Sequence, residues 1–241
     1  MSIRSRFVLL ALLAFSVMAH AQGLGGQTRA FDSPTLRLQD KADTLYRDGH
    51  WERAYFIYVN ELAAVGDKYA QYMAGYMSLT GRGVPRDAIR ASAWYRLAAE
   101  RDGPEFVAVR DKLLESMSKA DRLASDAAFI ALRKEYGDLV LALAVLEKDR
   151  EQYNESPTGS RLSGKTSSVT VMDPRTGVTI TRTEYLERVE KRMAIRLNFI
   201  AARLGIKPPD VDMSDRAFDE LKVQVADYLN VIDDRQQPDS R

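Results

Sequence analysis

The chain has 241 residues, of which 45% are hydrophobic, and this fraction excludes a disordered chain because it is enough to form a buried core. Its 35 Lys and Arg residues are matched by 34 Asp and Glu residues, so no basic excess favours nucleic acid as the main partner.

Residues 1–21 are predicted to be a secretory signal peptide. Two arginines precede an apolar run from Phe7 to Val17, and residues 19–21 place small side chains before a cleavage point. The apolar run is too short to span a membrane, and the chain has no cysteine for a lipid or a disulfide. We therefore expect a bacterial protein exported to the periplasm, with no membrane insertion after cleavage. Residues 22–32, which are Gly-rich and polar, are predicted to be a flexible lead.

Residues 33–66 are predicted to form a helical hairpin. Ser33 and Pro34 provide a cap followed by proline at the first helical position, and this helix stops near Gly49. A second helix begins around His50 and ends at Gly66. The packing residues of this hairpin are found where such repeats place small and aromatic side chains. They are Leu45, Tyr46, Gly49, Trp51, Ala54 and Tyr58. With this spacing the hairpin resembles a degenerate tetratricopeptide unit.

The stretch Ala70–Gly103 carries the clearest motif. Two predicted helices, Tyr69–Leu79 and Asp87–Arg101, flank a turn in which Gly81 and Gly83 can take positive φ at little cost. The motif consists of Ala70, Gly75, Gly81-Arg82-Gly83-Val84, Asp87, Ala91, Trp94-Tyr95 and Ala98-Ala99. These residues resemble the Sel-one-like repeat, a short relative of the tetratricopeptide repeat. The resemblance implies binding of another protein or peptide through a groove between the repeats.

A period of 37 residues (91 − 54 and 128 − 91) extends the motif in both directions. Alanine keeps this period and is followed four residues later by a large side chain, in the pairs Ala54 with Tyr58, Ala91 with Tyr95 and Ala128 with Leu132. With a third hairpin from Pro104 to Tyr136, the sequence predicts an all-α fold, an α-solenoid of about three helical hairpins. A helix from Leu139 to about Gln152 is expected to close the array, so that the repeat domain spans residues 33–152.

The remainder of the chain has a different composition. Residues 153–168 lack periodic apolar side chains and predict a linker. Residues 169–233 are predicted to form a β-hairpin and two further helices, because β-branched residues alternate around a Pro/Gly turn and two single apolar stripes follow. A disordered tail is predicted over residues 234–241.

The first of these two helices, Glu184–Leu204, has a narrow apolar seam. The seam consists of Leu186, Val189, Met193, Leu197 and Ile200, separated by steps of three or four residues. Such a seam can pair with the last helix of the same chain or with a second copy, which leaves a homodimer possible.

Residues 159–166 match the phosphate-loop pattern G-x-x-x-x-G-K-[ST] in every position. Phosphate binding by this loop needs a buried strand before it and a helix after it. Here Ser156 and Pro157 precede the motif and a predicted strand follows it, which favours a flexible linker and leaves nucleotide binding as a remote alternative. The chain has two histidines, one of them in the signal peptide, so no His/Cys metal cluster can form. We predict no catalytic residue, no cofactor and no metal site.

Aromatic residues are concentrated between residues 46 and 95, and most are predicted to be repeat core. We predict that Tyr55, Tyr72 and Tyr76 line a groove that binds a partner, because tyrosine makes good contact anchors. The main functional hypothesis is a non-enzymatic periplasmic adaptor that binds another protein through its helical repeats. The alternative is a self-associating structural envelope protein that dimerises through its C-terminal helices.

Overall fold

The computed structural model describes residues 33–155, 170–173, 177–210 and 214–236. The predicted signal peptide, the lead that follows it and the phosphate-loop pattern at 159–166 lie outside these residues. The described chain is mostly α-helical with one two-stranded antiparallel sheet, which confirms the predicted fold class. It divides into two compact units, the first ending at Asp138 and the second comprising Leu139–Ile232.

The first unit consists of three successive helical pairs. Their bounds are α1 Ser33–Arg47, α2 Trp51–Ile57, α3 Lys68–Thr80, α4 Ala88–Ala98, α5 Pro104–Ser116 and α6 Lys119–Tyr136. A π-helical turn, Tyr58–Leu62, and a 3-10 turn, Ala63–Val65, extend α2. The first two pairs pack helix on helix, whereas α5 and α6 both pack on α4. Because α4 contacts α3, α5 and α6, it is the central helix of this unit.

Side-chain caps begin two helices of the first unit, and glycines with positive φ form the predicted turn between α3 and α4. Asp87 Oδ1 accepts a hydrogen bond from the backbone N–H of Arg90 at 2.9 Å, and Ser118 Oγ accepts one from Asp121 at 3.1 Å. Gly81 and Gly83 have φ of +73° and +76°. The predicted reversal between α3 and α4 is therefore confirmed.

The 37-residue period marks the helix crossings of the first unit. Ala54 and Ala91 are fully buried, and Ala128 packs partly buried against the same core. The large residues four positions later behave likewise, with Tyr58 and Tyr95 in the core. Small residues let neighbouring backbones approach, and the large side chains fill the space beside them.

The second unit begins at Leu139, the second residue of α7, which spans Asp138–Glu155. Strands β1 (Thr170–Met172) and β2 (Thr179–Thr181) pair antiparallel with Val171 opposite Ile180, and both contact α8 (Arg182–Leu204). The last helix, α9, is Asp215–Gln236. Leu139 and Leu146 of α7 lie in the core of this unit, so the prediction that this helix closes the repeat array is wrong and the repeat unit ends at Asp138 and not at residue 152.

The predicted self-association seam is also wrong, because its residues form the core of the second unit. Val189, Met193, Leu197 and Ile200 are buried, and Leu186 packs partly buried beside them. Their neighbours in this core include the stripe of α9, formed by Phe218, Leu221, Val225 and Leu229. The seam therefore pairs within the chain and is not available to a second copy.

Two further expectations concern the ends of α7 and α9. Residues 153–155 belong to α7, so the predicted linker cannot start before residue 156, and its remaining residues lie outside the described part of the chain. Residues 234–236 belong to α9 and are not a tail, whereas residues 237–241 are not described. None of the helices in the described residues is long and apolar enough to cross a membrane.

Candidate partner-binding surface

Helix α3 is buried on almost every side. Of its thirteen residues, those that reach solvent in part are Tyr69, Tyr76 and Thr80. Steps of seven and four residues place these three side chains on one face of the helix. This face, the α3 stripe, is the part of α3 that a partner can contact.

The structure separates the three tyrosines that were predicted to line the groove. Tyr76 lies on the α3 stripe. Tyr72 is 1% exposed, and its ring centroid lies 5.5 Å from that of Tyr95 and 5.9 Å from that of Phe106. Tyr55 lies on α2, partly buried, with its hydroxyl buried inside the protein. The groove prediction is therefore wrong for Tyr72, which is a core residue.

Close packing fixes the turn between α3 and α4 against the start of α2. A Cβ on Gly83 would lie 2.5 Å from the carbonyl oxygen of Trp51, so only glycine fits this contact and its positive φ. The backbone N–H of Asp87 donates to the carbonyl oxygen of Ser78 at 2.8 Å, and Arg86 Nε donates to that of Leu79 at 3.1 Å. The side chain of Arg82, at the centre of this turn, is thereby held against α1, α2 and α3.

Arg82 is surrounded by three aromatic rings from different helices. Its Cζ lies 5.5 Å from the ring centroid of Tyr46, 5.4 Å from that of Trp51 and 5.9 Å from that of Tyr76. Tyr46 and Tyr76 meet edge to face at 6.3 Å, and Arg82 also donates a hydrogen bond to the hydroxyl of Tyr46. A cation over aromatic rings is attracted by their negative faces. We refer to Tyr46, Trp51, Tyr76 and Arg82 as the Arg82 cluster.

The Arg82 cluster is half open to solvent and positively charged. Trp51 is 41% exposed, whereas Tyr46 is buried. Burial raises the pKa of Tyr46 to about 12, the neighbouring Tyr76 adds to this shift, and the charge of Arg82 opposes it only in part. The Tyr46 hydroxyl is therefore neutral at physiological pH and does not cancel the charge of Arg82.

Asp43 lies at the other end of the α3 stripe, where it binds the hydroxyl of Tyr69. Its carboxylate accepts hydrogen bonds from the hydroxyls of Tyr58 and Tyr69. Burial raises the pKa of Asp43, while these two hydrogen bonds lower it in part. The ring of Tyr69 packs against those of Tyr58 and Tyr72, each at 6.4 Å, which fixes the position of Tyr69 on the stripe.

Comparison with known proteins bears on the segment that contains this stripe. Residues 68–103 match the family model of the Sel1 repeat. The chain carries a Sel1 repeat. The match covers α3, the Gly81–Gly83 turn and α4, which confirms the resemblance inferred from the motif residues. No curated protein and no solved structure matches the chain.

Sel1 repeats are helical repeats that generally mediate protein–protein interaction. In this chain the Arg82 cluster combines Tyr76 and Arg82 of the Sel1 repeat with Tyr46 and Trp51 of the preceding helical pair. The surface is therefore shared between two successive pairs, as expected when stacked repeats form one binding face.

A second polar cluster, at the opposite end of the Sel1 repeat, is internally paired. Lys68 Nζ donates to the carbonyl oxygen of Leu97 at 2.7 Å and lies 3.2 and 3.3 Å from the carboxylates of Glu100 and Asp138. Arg101 binds Asp138 through two nitrogen atoms at 2.5 and 2.8 Å. Burial lowers the pKa of Lys68, and the two carboxylates oppose this shift. The cluster joins both helices of the repeat to Asp138, the last residue of this part of the chain in the first unit, and is a structural element of that unit.

Four members of this surface were not predicted from the sequence, namely Tyr46, Trp51, Tyr69 and Arg82. The spacing of seven residues places Tyr69 and Tyr76 on one helix face, but the same spacing places Tyr72 close to that face, so it did not separate surface from core. For Arg82 the signal was a long charged side chain between two turn glycines. Within the described residues, no group of His, Cys, Asp or Glu is arranged to hold a metal ion.

Proposed function

We propose that this chain is a non-enzymatic periplasmic adaptor that binds another protein through the Arg82 cluster and the α3 stripe. The observation that carries the proposal is the exposure of Trp51, a large aromatic residue that is 41% exposed. Its ring lies against Arg82 of the Sel1 repeat, in the same cluster as Tyr76. Tryptophan, tyrosine and arginine are the residues that most often dominate the energy of protein interfaces. The usual role of Sel1 repeats as interaction modules supports a binding role over catalysis.

Export to the periplasm is the second component of the proposal. It is supported by the arginines, the apolar run and the small residues of the first 21 positions. We expect the protein from the periplasmic fraction to begin at Gln22. Recovery of chains that begin at Met1 and remain in the cytoplasm would contradict export.

Site-specific photocrosslinking tests the binding surface directly. A photoreactive phenylalanine analogue is placed at Trp51 or at Tyr76, and crosslinked products are identified from living cells. The matched control is Phe56, an aromatic residue of α2 that is 57% exposed and lies about 140° around the helix from Trp51. We expect one protein to crosslink at Trp51 and Tyr76 and not at Phe56. Equal crosslinking at all three positions, or none at any, would contradict the assigned surface.

A further inference from the structure

Arg82 differs from three other arginines of the first unit in the kind of partner it has. Arg96 binds Asp126 at 2.6 Å, Arg101 binds Asp138 and Arg133 lies 3.4 Å from Glu100. In the described residues Arg82 forms no such ion pair, and the hydrogen bond it makes goes to the neutral hydroxyl of Tyr46. A guanidinium group has five N–H donors, so Arg82 retains donors for another acceptor.

The three rings of the Arg82 cluster leave those donors usable. Aromatic rings attract the flat faces of a guanidinium group, whereas carboxylates bind along its edge. The rings also remove part of the water around the charge, and a hydrogen bond between an arginine and a carboxylate is stronger in such surroundings. The groups that meet Arg82 within the cluster are two phenols and an indole, none of which offers a carboxylate to pair with the positive charge.

We propose that the Arg82 cluster recognises an acidic segment of the partner, in which an Asp or Glu side chain binds the edge of Arg82 and an adjacent apolar side chain packs on Trp51. This inference rests on the proposed function and specifies the chemistry of the partner. The positive charge of the cluster complements the carboxylate, and the exposed ring of Trp51 complements the apolar neighbour. The carboxylate comes from a side chain within the segment, not from a chain terminus.

Selection from random peptides tests the inference without a known partner. The peptides are displayed between fixed flanking residues, so that no peptide offers a free terminal carboxylate, and they are selected on the purified chain. We expect the bound peptides to share an Asp or Glu beside an apolar residue. Changing that acid to Asn or Gln should weaken binding to the unmodified chain by about tenfold or more, the usual effect of a charged hydrogen bond.

The Arg82→Gln variant shows whether the acid acts through Arg82. In this variant the acidic peptide and its Asn or Gln counterpart should bind with nearly equal affinity, less than about twofold apart. The control is Arg53→Gln, which removes a charge from an exposed arginine of α2 and should preserve the full difference. Circular dichroism of each variant verifies that it is folded.

The possible negative results distinguish a failure of this inference from a failure of the proposed function. Peptides that require Tyr76 and Trp51 but show no acidic preference would overturn the acidic segment and leave the binding surface intact. An acid effect that persists in Arg82→Gln would also overturn the inference. If acidic peptides bind only when they carry a free terminal carboxylate, the assignment of the carboxylate to a side chain would be overturned. Failure to select any peptide that depends on Trp51 or Tyr76 would count against both.

Discussion

The ring of Tyr95 occupies the space into which a side chain at Gly75 would extend. A Cβ on Gly75 would lie 2.7 Å from Cδ1 and from Cε1 of Tyr95, and 3.1 Å from the carbonyl oxygen of Ala91. Tyr95 is 1% exposed and stacked on Tyr72, so its ring has no space to move away. Gly75 therefore sets how closely α3 and α4 approach within the Sel1 repeat.

We expect Gly75→Ala to lower the free energy of unfolding by about 2 kcal/mol, because the added methyl group overpacks the core. Urea unfolding followed by circular dichroism measures the change. The matched control is Gly103→Ala, whose Cβ would lie 3.0 Å from the partly exposed ring of Phe106 and should cost less. Equal losses for the two variants would contradict the packing argument.

Tyr72 and Tyr76 should respond differently to truncation although they lie one helical turn apart. Tyr72→Ala removes a fully buried ring and should cost about 3–5 kcal/mol. Tyr76→Ala removes a partly exposed ring and should cost much less, while abolishing crosslinking from Trp51. Thermal unfolding and crosslinking are measured on both variants. A larger stability loss for Tyr76 than for Tyr72 would contradict the division between core and surface.

Lys68 stabilises the end of the repeat through a buried ion cluster. Lys68→Met keeps most of the side-chain volume but leaves the carbonyl oxygen of Leu97 and the carboxylates of Glu100 and Asp138 without this cation. Removing one partner from a buried ion pair is strongly destabilising, and we expect a loss of about 3 kcal/mol in urea unfolding. Lys119→Met, at an exposed lysine, is the control. Unchanged stability of Lys68→Met would show that the cluster contributes little.

Asp138 should make the first unit sensitive to acid. Burial would raise the pKa of Asp138, but its hydrogen bond with Arg101 and the charges of Lys68 and Arg101 outweigh burial and leave the pKa below the usual 3.8. Because the folded pKa is the lower one, Asp138 contributes stability that is present above pH 3.8 and lost as the pH falls through the folded pKa. We expect the difference in Tm between the unmodified chain and Asp138→Asn to be largest near neutral pH and to shrink below about pH 4. A difference that grows on acidification would contradict this sign.

Replacing Met193 tests whether the apolar seam of α8 belongs to the core of one chain. Met193→Ala should lower the stability of the second unit by about 2–4 kcal/mol, because the side chain is buried. The urea midpoint should not depend on protein concentration, since the seam pairs with α9 of the same chain. A midpoint that rises with concentration in the unmodified chain and loses this dependence in the variant would indicate a dimer seam instead.

Signals that act over a few residues predicted the secondary structure well. The turn glycines Gly81 and Gly83 and the 37-residue period located the helices of the first unit, because turns depend on neighbouring residues. The β-hairpin and α8 were also found from local patterns. Each of these signals concerns one element or one repeat of elements, which is why it can be seen in a single sequence.

The division of tyrosines between core and surface depended on distant residues. A helix that is covered on nearly all sides shows no apolar stripe, so periodicity could not distinguish Tyr72 from Tyr76. Phe106, which covers Tyr72, comes from a helix 34 residues further along, and Arg82 meets Tyr46 across 36 residues. Contacts of this kind follow from how helices stack and leave no local pattern.

The seam of α8 shows a related limit. Its spacing correctly indicated an apolar face that needs a partner, but spacing alone does not say whether the partner is in the same chain. The matching stripe of α9 and the leucines of α7 provide that partner. The sequence contained both stripes, and the structure was needed to pair them.

The two tryptophans of this chain report on different events. Trp94 is fully buried, with its ring centroid 4.9 Å from that of Tyr136, whereas Trp51 stands at the solvent-facing edge of the Arg82 cluster. A soluble quencher reaches the indole of Trp51 and not that of Trp94 in the folded protein, so protection from quenching measures occupancy of the surface. Loss of protection at Trp94 instead measures unfolding. One unlabelled sample can thus be followed by its own fluorescence through both ligand titration and denaturation.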